Sequence, residues 1–246
     1  MAGLVTTLNY AIIAVAVVSL IYGSYTDIRK RTVKALLFVP LIILGLAMNI
    51  FLHAPYMFIV SGTLIFLFSF LEPDTYGYGF MGVIFMVVSI VTIYLYGFHW
   101  GFQLLIISVV YLMGFTERFF GIGDIKGIIA VMFASSLYTP VAGTLLSGNF
   151  AYVQIPTSLA LLVDIAIFSV IFLVYAVYLA GKHGSVHIKG ETLAIEYNSD
   201  LAEKNPDAYR ISERDGVRYM IYRIPFMVAV LLGYVMFVIM GSPIFF

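Results

Sequence analysis

The chain contains 0 cysteines in 246 residues, which excludes disulfides, thiolate metal sites and cysteine nucleophiles together. Charge is scarce as well. Asp, Glu, Lys and Arg supply 11% of the residues, against about a quarter in an ordinary soluble domain. The 13 basic and 13 acidic side chains balance to a formal net charge of +0, so no overall field draws the chain to nucleic acid or another polyanion. Tryptophan occurs only 1 time, beside 21 phenylalanines and 18 tyrosines. The histidines, His53, His99, His183 and His187, are scattered without metal-ligand spacing across a helix. His183 and His187 stand four apart, but in a stretch with strand or loop character. Neither a metal nor an organic cofactor is expected.

What remains is apolar: hydrophobic residues make up 62% of the chain, too many to be covered by polar surface in water. Lipid is the solvent such a chain requires. Apolar runs fall at 4–26, 34–52, 55–71, 79–97, 101–116, 125–146, 157–180 and 224–244. Backbone in hydrocarbon must satisfy its own hydrogen bonds, so each run predicts a helix. The expected fold is an all-α polytopic membrane protein with about eight transmembrane helices, or six if one pair within 55–116 is a re-entrant hairpin. Gly77 with Gly79, and Gly97 with Gly101, mark the expected breaks there. The first run has no basic stretch before it and reads as a retained span rather than a cleaved signal peptide. No internal repeat or low-complexity tract is visible.

The basic residues give the orientation. They occupy three places: Arg29, Lys30, Arg31 and Lys34; Arg118 and Lys126; and the segment from Lys182 to Arg223. With eight spans, or six, all three fall on one side. The turns at 53–55, 97–101 and 139–157 on the other side have none. The positive-inside rule puts the basic side in the cytoplasm and the N-terminus outside, as for a multi-pass protein of the plasma membrane. Residues 182–223 also hold many of the acidic side chains and are read as soluble. Val186–Ile195 alternates apolar and polar residues, and Asp215–Gly216 is a turn signal before β-prone Val217, Tyr219 and Ile221. Asn205–Pro206–Asp207 reads as a loop. The organisation is thus a membrane helical domain at 1–181, a small cytoplasmic β-rich insert at 182–223, and a C-terminal transmembrane helix at 224–246.

Ionisable groups in or against membrane helices are costly and therefore candidates for function. Outside the insert the acids are Asp27, Glu72, Asp74, Glu117, Asp124 and Asp164. Asp27 ends the first span, in Tyr25-Thr26-Asp27-Ile28-Arg29-Lys30-Arg31. Asp124 opens another, in Gly121-Ile122-Gly123-Asp124-Ile125-Lys126-Gly127. The topology puts both carboxylates at one depth on the cytoplasmic side. Two carboxylates that share a proton are the minimum equipment for activating water against an amide carbonyl. Gly121 and Gly123 allow close backbone approach, and with it an extended substrate strand. Spacing alone is equally compatible with a plain cap and turn, since an Asp at a helix start is stabilised by the dipole.

The block Gly121-Ile122-Gly123-Asp124-Ile125-Lys126 resembles the Gly-x-Gly-Asp-x-Lys signature of type IV prepilin peptidases and archaeal preflagellin peptidases. Asp27-Ile28-Arg29-Lys30-Arg31 resembles their upstream aspartate motif, and Ile224-Pro225-Phe226 is similar to the start of their last span. The resemblance implies an aspartic-type endopeptidase that removes short basic leaders from archaellin- or pilin-like precursors. It implies Asp27 and Asp124 as the catalytic pair, with Gly121, Gly123 and Lys126 toward substrate. The bacterial branch carries paired Cys-x-x-Cys motifs and methylates its product. A chain without cysteine fits the archaeal branch, and without the methyltransferase half. The aspartates stand farther apart in sequence than in that family, which implies an added helical hairpin around 72–101.

Three other readings stand beside this one, the last of them a non-catalytic membrane scaffold. A presenilin-like protease also uses Gly-x-Gly-Asp, but no Pro-Ala-Leu-Pro-type motif stands near the C-terminus. A small transporter would run protons or cations along Asp27, Asp124 and Asp164, and would want its acids near mid-membrane. The Arg29–Lys34 cluster serves as a topology anchor at anionic lipid or as a substrate contact. Glu72, Asp74 and Glu117 are solvated loop acids or recognise a basic leader. Asp164, inside the seventh run, calls for a partner on a neighbouring helix. The expected partners are precursor proteins and membrane lipid.

Overall fold

The computed structural model describes residues 2–30, 32–71, 75–114, 122–136, 156–184, 194–204, 209–214, 216–222 and 224–240. Each anticipated apolar run contains a helix. These are α1 (Ala2–Lys30), α2 (Val39–Phe51, entered through a 3-10 turn at Ala35–Phe38), α3 (Tyr56–Phe70), α4 (Thr75–Tyr96), α5 (Phe98–Met113), α6 (Ile122–Ala134), α7 (Thr157–Lys182) and, at the end, α9 (Phe226–Met240). Leu4–Lys30, Tyr76–Tyr96 and Thr157–Lys182 are long and apolar enough to cross a bilayer. Ala35–Phe51, Tyr56–Phe70, Phe98–Met113 and Phe226–Ile239 are shorter apolar helices. The chain is a helical protein of membrane type with a small sheet appended.

α6 is the axis of the bundle. Every residue from Asp124 to Ser136 is buried, and from Gly127 to Ala134 none has a polar side chain, as in a helix apolar on all faces. Small residues let its neighbours close in. A Cβ on Gly45 of α2 would lie 2.7 Å from the Cα of Ala134, and one on Gly62 of α3 would lie 2.5 Å from the Phe133 ring. The outer pairs use the same device: Gly101 of α5 faces the Ile93 backbone of α4, and Gly233 of α9 comes within 2.7 Å of the Ile165 nitrogen by the same measure. Without a hydrophobic drive between helices in lipid, such close van der Waals contact is the main source of association.

At the end of the bundle where α6 finishes, a buried amide network replaces apolar packing. Asn49 donates to the carbonyls of Gly45 (2.8 Å) and Phe133 (3.2 Å), and Ser136 Oγ donates to Asn49 Oδ1 (2.8 Å). Gln103 Nε2 donates to the Ser136 carbonyl (2.9 Å), while Thr157 Oγ1 reaches both Gln103 Oε1 and that carbonyl at 3.0 Å. Four helices are joined there through groups that would be costly to bury alone.

The glycine breaks resolve in opposite ways. Gly97, at φ 92, is a true break and precedes α5. Gly77 and Gly79 break nothing; they lie inside the first turns of α4, which begins at Thr75. A glycine costs a helix only about 1 kcal/mol, which packing can offset. Gly101 is likewise helical, and its small size serves the approach to Ile93.

The insert carries the expected strands and one short helix. Strands β1 (Ala194–Glu196), β2 (Tyr209–Arg214) and β3 (Val217–Tyr222) form an antiparallel sheet in the order β1-β3-β2. Arg214 of β2 pairs with Val217 of β3, and Gly216 between the strands takes φ 75, a conformation open to glycine. The helix α8 (Ser199–Lys204) was not anticipated; the Asn198 side chain accepts from the Leu201 amide (3.1 Å) at its start. Residues 186–193 and the loop at 205–207 lie outside the described residues. Ile195, Ala202, Tyr209 and Met220 share a core with Ala180 of α7, and the Tyr222 ring meets Tyr209 and Tyr175. Burial there, with Tyr222 and Tyr175 adding to it, raises the Tyr209 phenol above its ordinary value. The insert therefore sits on the last turns of α7.

Two glycine substitutions separate close packing from helix propensity. Gly101→Ala should destabilise the protein by about 1–3 kcal/mol, because its Cβ meets Ile93 backbone that cannot move aside alone. Gly181→Ala, with nothing within 4 Å, should be neutral or stabilise by up to about 1 kcal/mol. Thermal melting in detergent decides it; equal melting temperatures would remove the close-packing account.

Candidate active site

α1 carries Asp27 in its last turn, and α6 carries Asp124 in its first. Helix direction places both at the end opposite the amide network. Each carboxylate is buried, Asp27 being 6% and Asp124 8% exposed. At the start of α6 the helix dipole favours an anion, whereas Asp27, near the C-terminal pole of α1, has the unfavourable sign. The last helix supplies the compensation. Asp27 Oδ2 accepts a hydrogen bond from the Met227 amide at 3.0 Å, so the first turn of α9 turns its positive end toward this carboxylate.

Met227 is held from several directions. Its carbonyl accepts from Ser24 Oγ at 3.0 Å. Its methyl lies 3.3 Å and 3.2 Å from where Cβ atoms on Gly23 and Gly127 would stand. Gly127 is one turn beyond Asp124 and on the same helical face. The elements that carry the two aspartates thus meet at Met227.

Lys126 is 3% exposed, and its ammonium lies 5.5 Å from the Phe70 ring centroid. Two residues from Asp124, it points to a different side of α6, toward the last residue of α3. A cation there gains from the ring face and from the C-terminal pole of α3. Gly123 meets the chain's own backbone: a Cβ would stand 2.6 Å from the Val33 carbonyl oxygen. The approach this glycine permits is occupied by the segment that follows α1. Gly121 lies outside the described residues, as do Arg31, Glu72, Asp74, Glu117 and Arg118. The Arg29 guanidinium stays at the surface, 5.5 Å over the Tyr25 ring.

Asp164 is fully buried, and the next residue, Ile165, is where α7 packs on Gly233 of α9. Among the described residues no group of three or more His, Asp or Glu is placed to hold a metal ion. Met227 and Ser24 were not singled out from sequence. Ser24 and Asp27, three apart at one end of a span, were a readable signal; a backbone amide from a distant helix was not.

Removing the Asp27 acceptor should loosen α9. Asp27→Ala should cost about 1–2 kcal/mol, the usual effect of losing a helix cap, while Asp27→Asn keeps an acceptor oxygen and should melt close to wild type. If the alanine variant melted like wild type, the contact would contribute nothing to docking α9.

Compared with known proteins, the chain matches no family model, no curated protein and no solved structure.

Proposed function

We propose that the chain is an intramembrane aspartyl endopeptidase that removes short basic leader peptides from archaellin- or pilin-like precursors at the cytoplasmic face of the membrane. The observation that carries this reading is the pair of buried carboxylates, Asp27 and Asp124, on separate helices that meet at Met227. The Gly-x-Gly-Asp-x-Lys pattern around Asp124 supports it and supplies the substrate class.

The chemistry requires the two carboxylates to hold one proton between them. The ionised member takes a proton from water as the water attacks the scissile carbonyl. The protonated member donates to the carbonyl oxygen, and the gem-diol collapses as a proton passes to the leaving amine. In this reading the eight apolar helices, α1 to α7 and α9, cross the membrane, with the N-terminus outside. α2 and α6 have 13 residues each, or about 20 Å, which is short for a hydrocarbon core of about 30 Å. α6 is covered by its neighbours from Asp124 to Ser136, whereas α2 keeps Ile43 and Ile50 exposed along one face.

Buried Asp164 favours a second reading, a proton- or cation-coupled transporter. One assay separates the two. With purified protein and a tagged precursor, Asp27→Asn and Asp124→Asn should each lower cleavage by about 10²–10⁴-fold while melting like wild type. Asp164→Asn should retain most of the activity. Full activity in either of the first two variants would remove that residue from the mechanism. Loss of ion-coupled uptake in Asp164→Asn, with no cleavage by wild type, would favour the transporter.

The topology is tested separately. A reporter inserted within 182–223 should be cytoplasmic, and one at 148–149 extracytoplasmic. Inversion of either breaks the placement of both aspartates on one face.

A further inference from the structure

We infer that the first turn of α9 orients Asp27 for reaction, with Met227 as the positioning residue and Ser24 as its anchor. The inference rests on the peptidase reading and extends it to a residue outside either aspartate motif. A carboxylate on a helix end can rotate about its last torsion, and a reacting oxygen displaced by about 1 Å costs roughly 10²-fold in rate. The Met227 N–H fixes Oδ2 at 3.0 Å. That donor is itself fixed, because Ser24 Oγ holds the carbonyl of the same residue at 3.0 Å. Ser24 and Asp27 lie three apart on one face of α1, so a single helix grips Met227 by both backbone groups.

The side chain completes the clamp. Met227 is fully buried, with its methyl in the slot left by Gly23 and Gly127, and a Cβ at either glycine would press on it. Gly127 belongs to the helix of Asp124, so the wedge that locates the amide also sets the spacing between α1 and α6. The direction of the hydrogen bond has an electrostatic reason. Asp27 stands near the negative pole of α1, and the first-turn amide brings the positive pole of α9 to the same carboxylate. In a site shielded from water this amide offsets the α1 dipole at one carboxylate oxygen.

A buried backbone donor that acts through Asp27 does not touch the substrate, so its loss should appear in kcat and leave KM for the precursor unchanged. Proline removes the N–H and is tolerated in the first turn of a helix. Met227→Ala keeps the N–H and is the reference for the lost side chain. Relative to that reference, Met227→Pro should lower kcat by a further 10–100-fold or so, with KM unaltered. Ser24→Ala should lower kcat by a smaller factor, and Ser24→Thr, which keeps the hydroxyl, should recover it. Melting curves of all four variants in detergent serve as the folding control. If Met227→Pro does not fold, the Ser24 pair carries the test, and equal kcat for Ser24→Ala and wild type overturns the inference.

The two levels fail differently. A wild-type protein that leaves tagged precursor intact overturns the peptidase reading and this inference with it. A wild-type protein that cleaves, with Met227→Pro and Met227→Ala equal in kcat or differing only in KM, overturns the inference alone.

Discussion

The structure depends on the complete enclosure of one short helix. α6 is buried from Asp124 to Ser136, so every neighbour must approach it closely and its own polar groups can stand only at its ends. Glycines make the approach possible along its length, from Val33 and Phe38 against Gly123 and Gly127 to Gly45 against Ala134. The enclosure also fixes what each end can do. The far end is closed by neutral amides and hydroxyls, with Asn49, Gln103, Ser136 and Thr157 hydrogen-bonded among four helices. The near end carries the charge.

Charge in a protein this apolar is placed by helix poles. Asp124 stands at the positive pole of its own helix, Lys126 reaches the negative end of α3, and Asp27 meets the positive end of α9. Each placement lowers the cost of holding an ion away from water. The same placements serve both stability and the proposed chemistry, because a carboxylate oriented by an amide is also one prepared to react. Asp27→Asn separates the two roles: the amide side chain still caps α9 and cannot act as a base. The insert is joined to this arrangement physically, since it rests on Ala180 and Tyr175 of α7 and leads directly into the first turn of α9.

Composition and apolar runs determined the helical membrane class, the helix of each run, and a charge-rich segment with strands before the last helix. These follow from the solvent: a backbone in lipid has few options, and a charge-rich stretch cannot stay there. The glycine between β2 and β3 was also legible, because the positive φ of Gly216 selects that residue. The two aspartates were legible as costly charges at span ends. Tertiary structure alone decided the rest. Gly77 and Gly79 look like breaks but are carried inside α4, and Gly123 stands against the Val33 backbone. Neither outcome is encoded within a few residues of the glycine. The link between Asp27 and Met227 joins positions far apart in the chain through a main-chain N–H, a group every residue but proline carries, so no pattern of side chains could announce it.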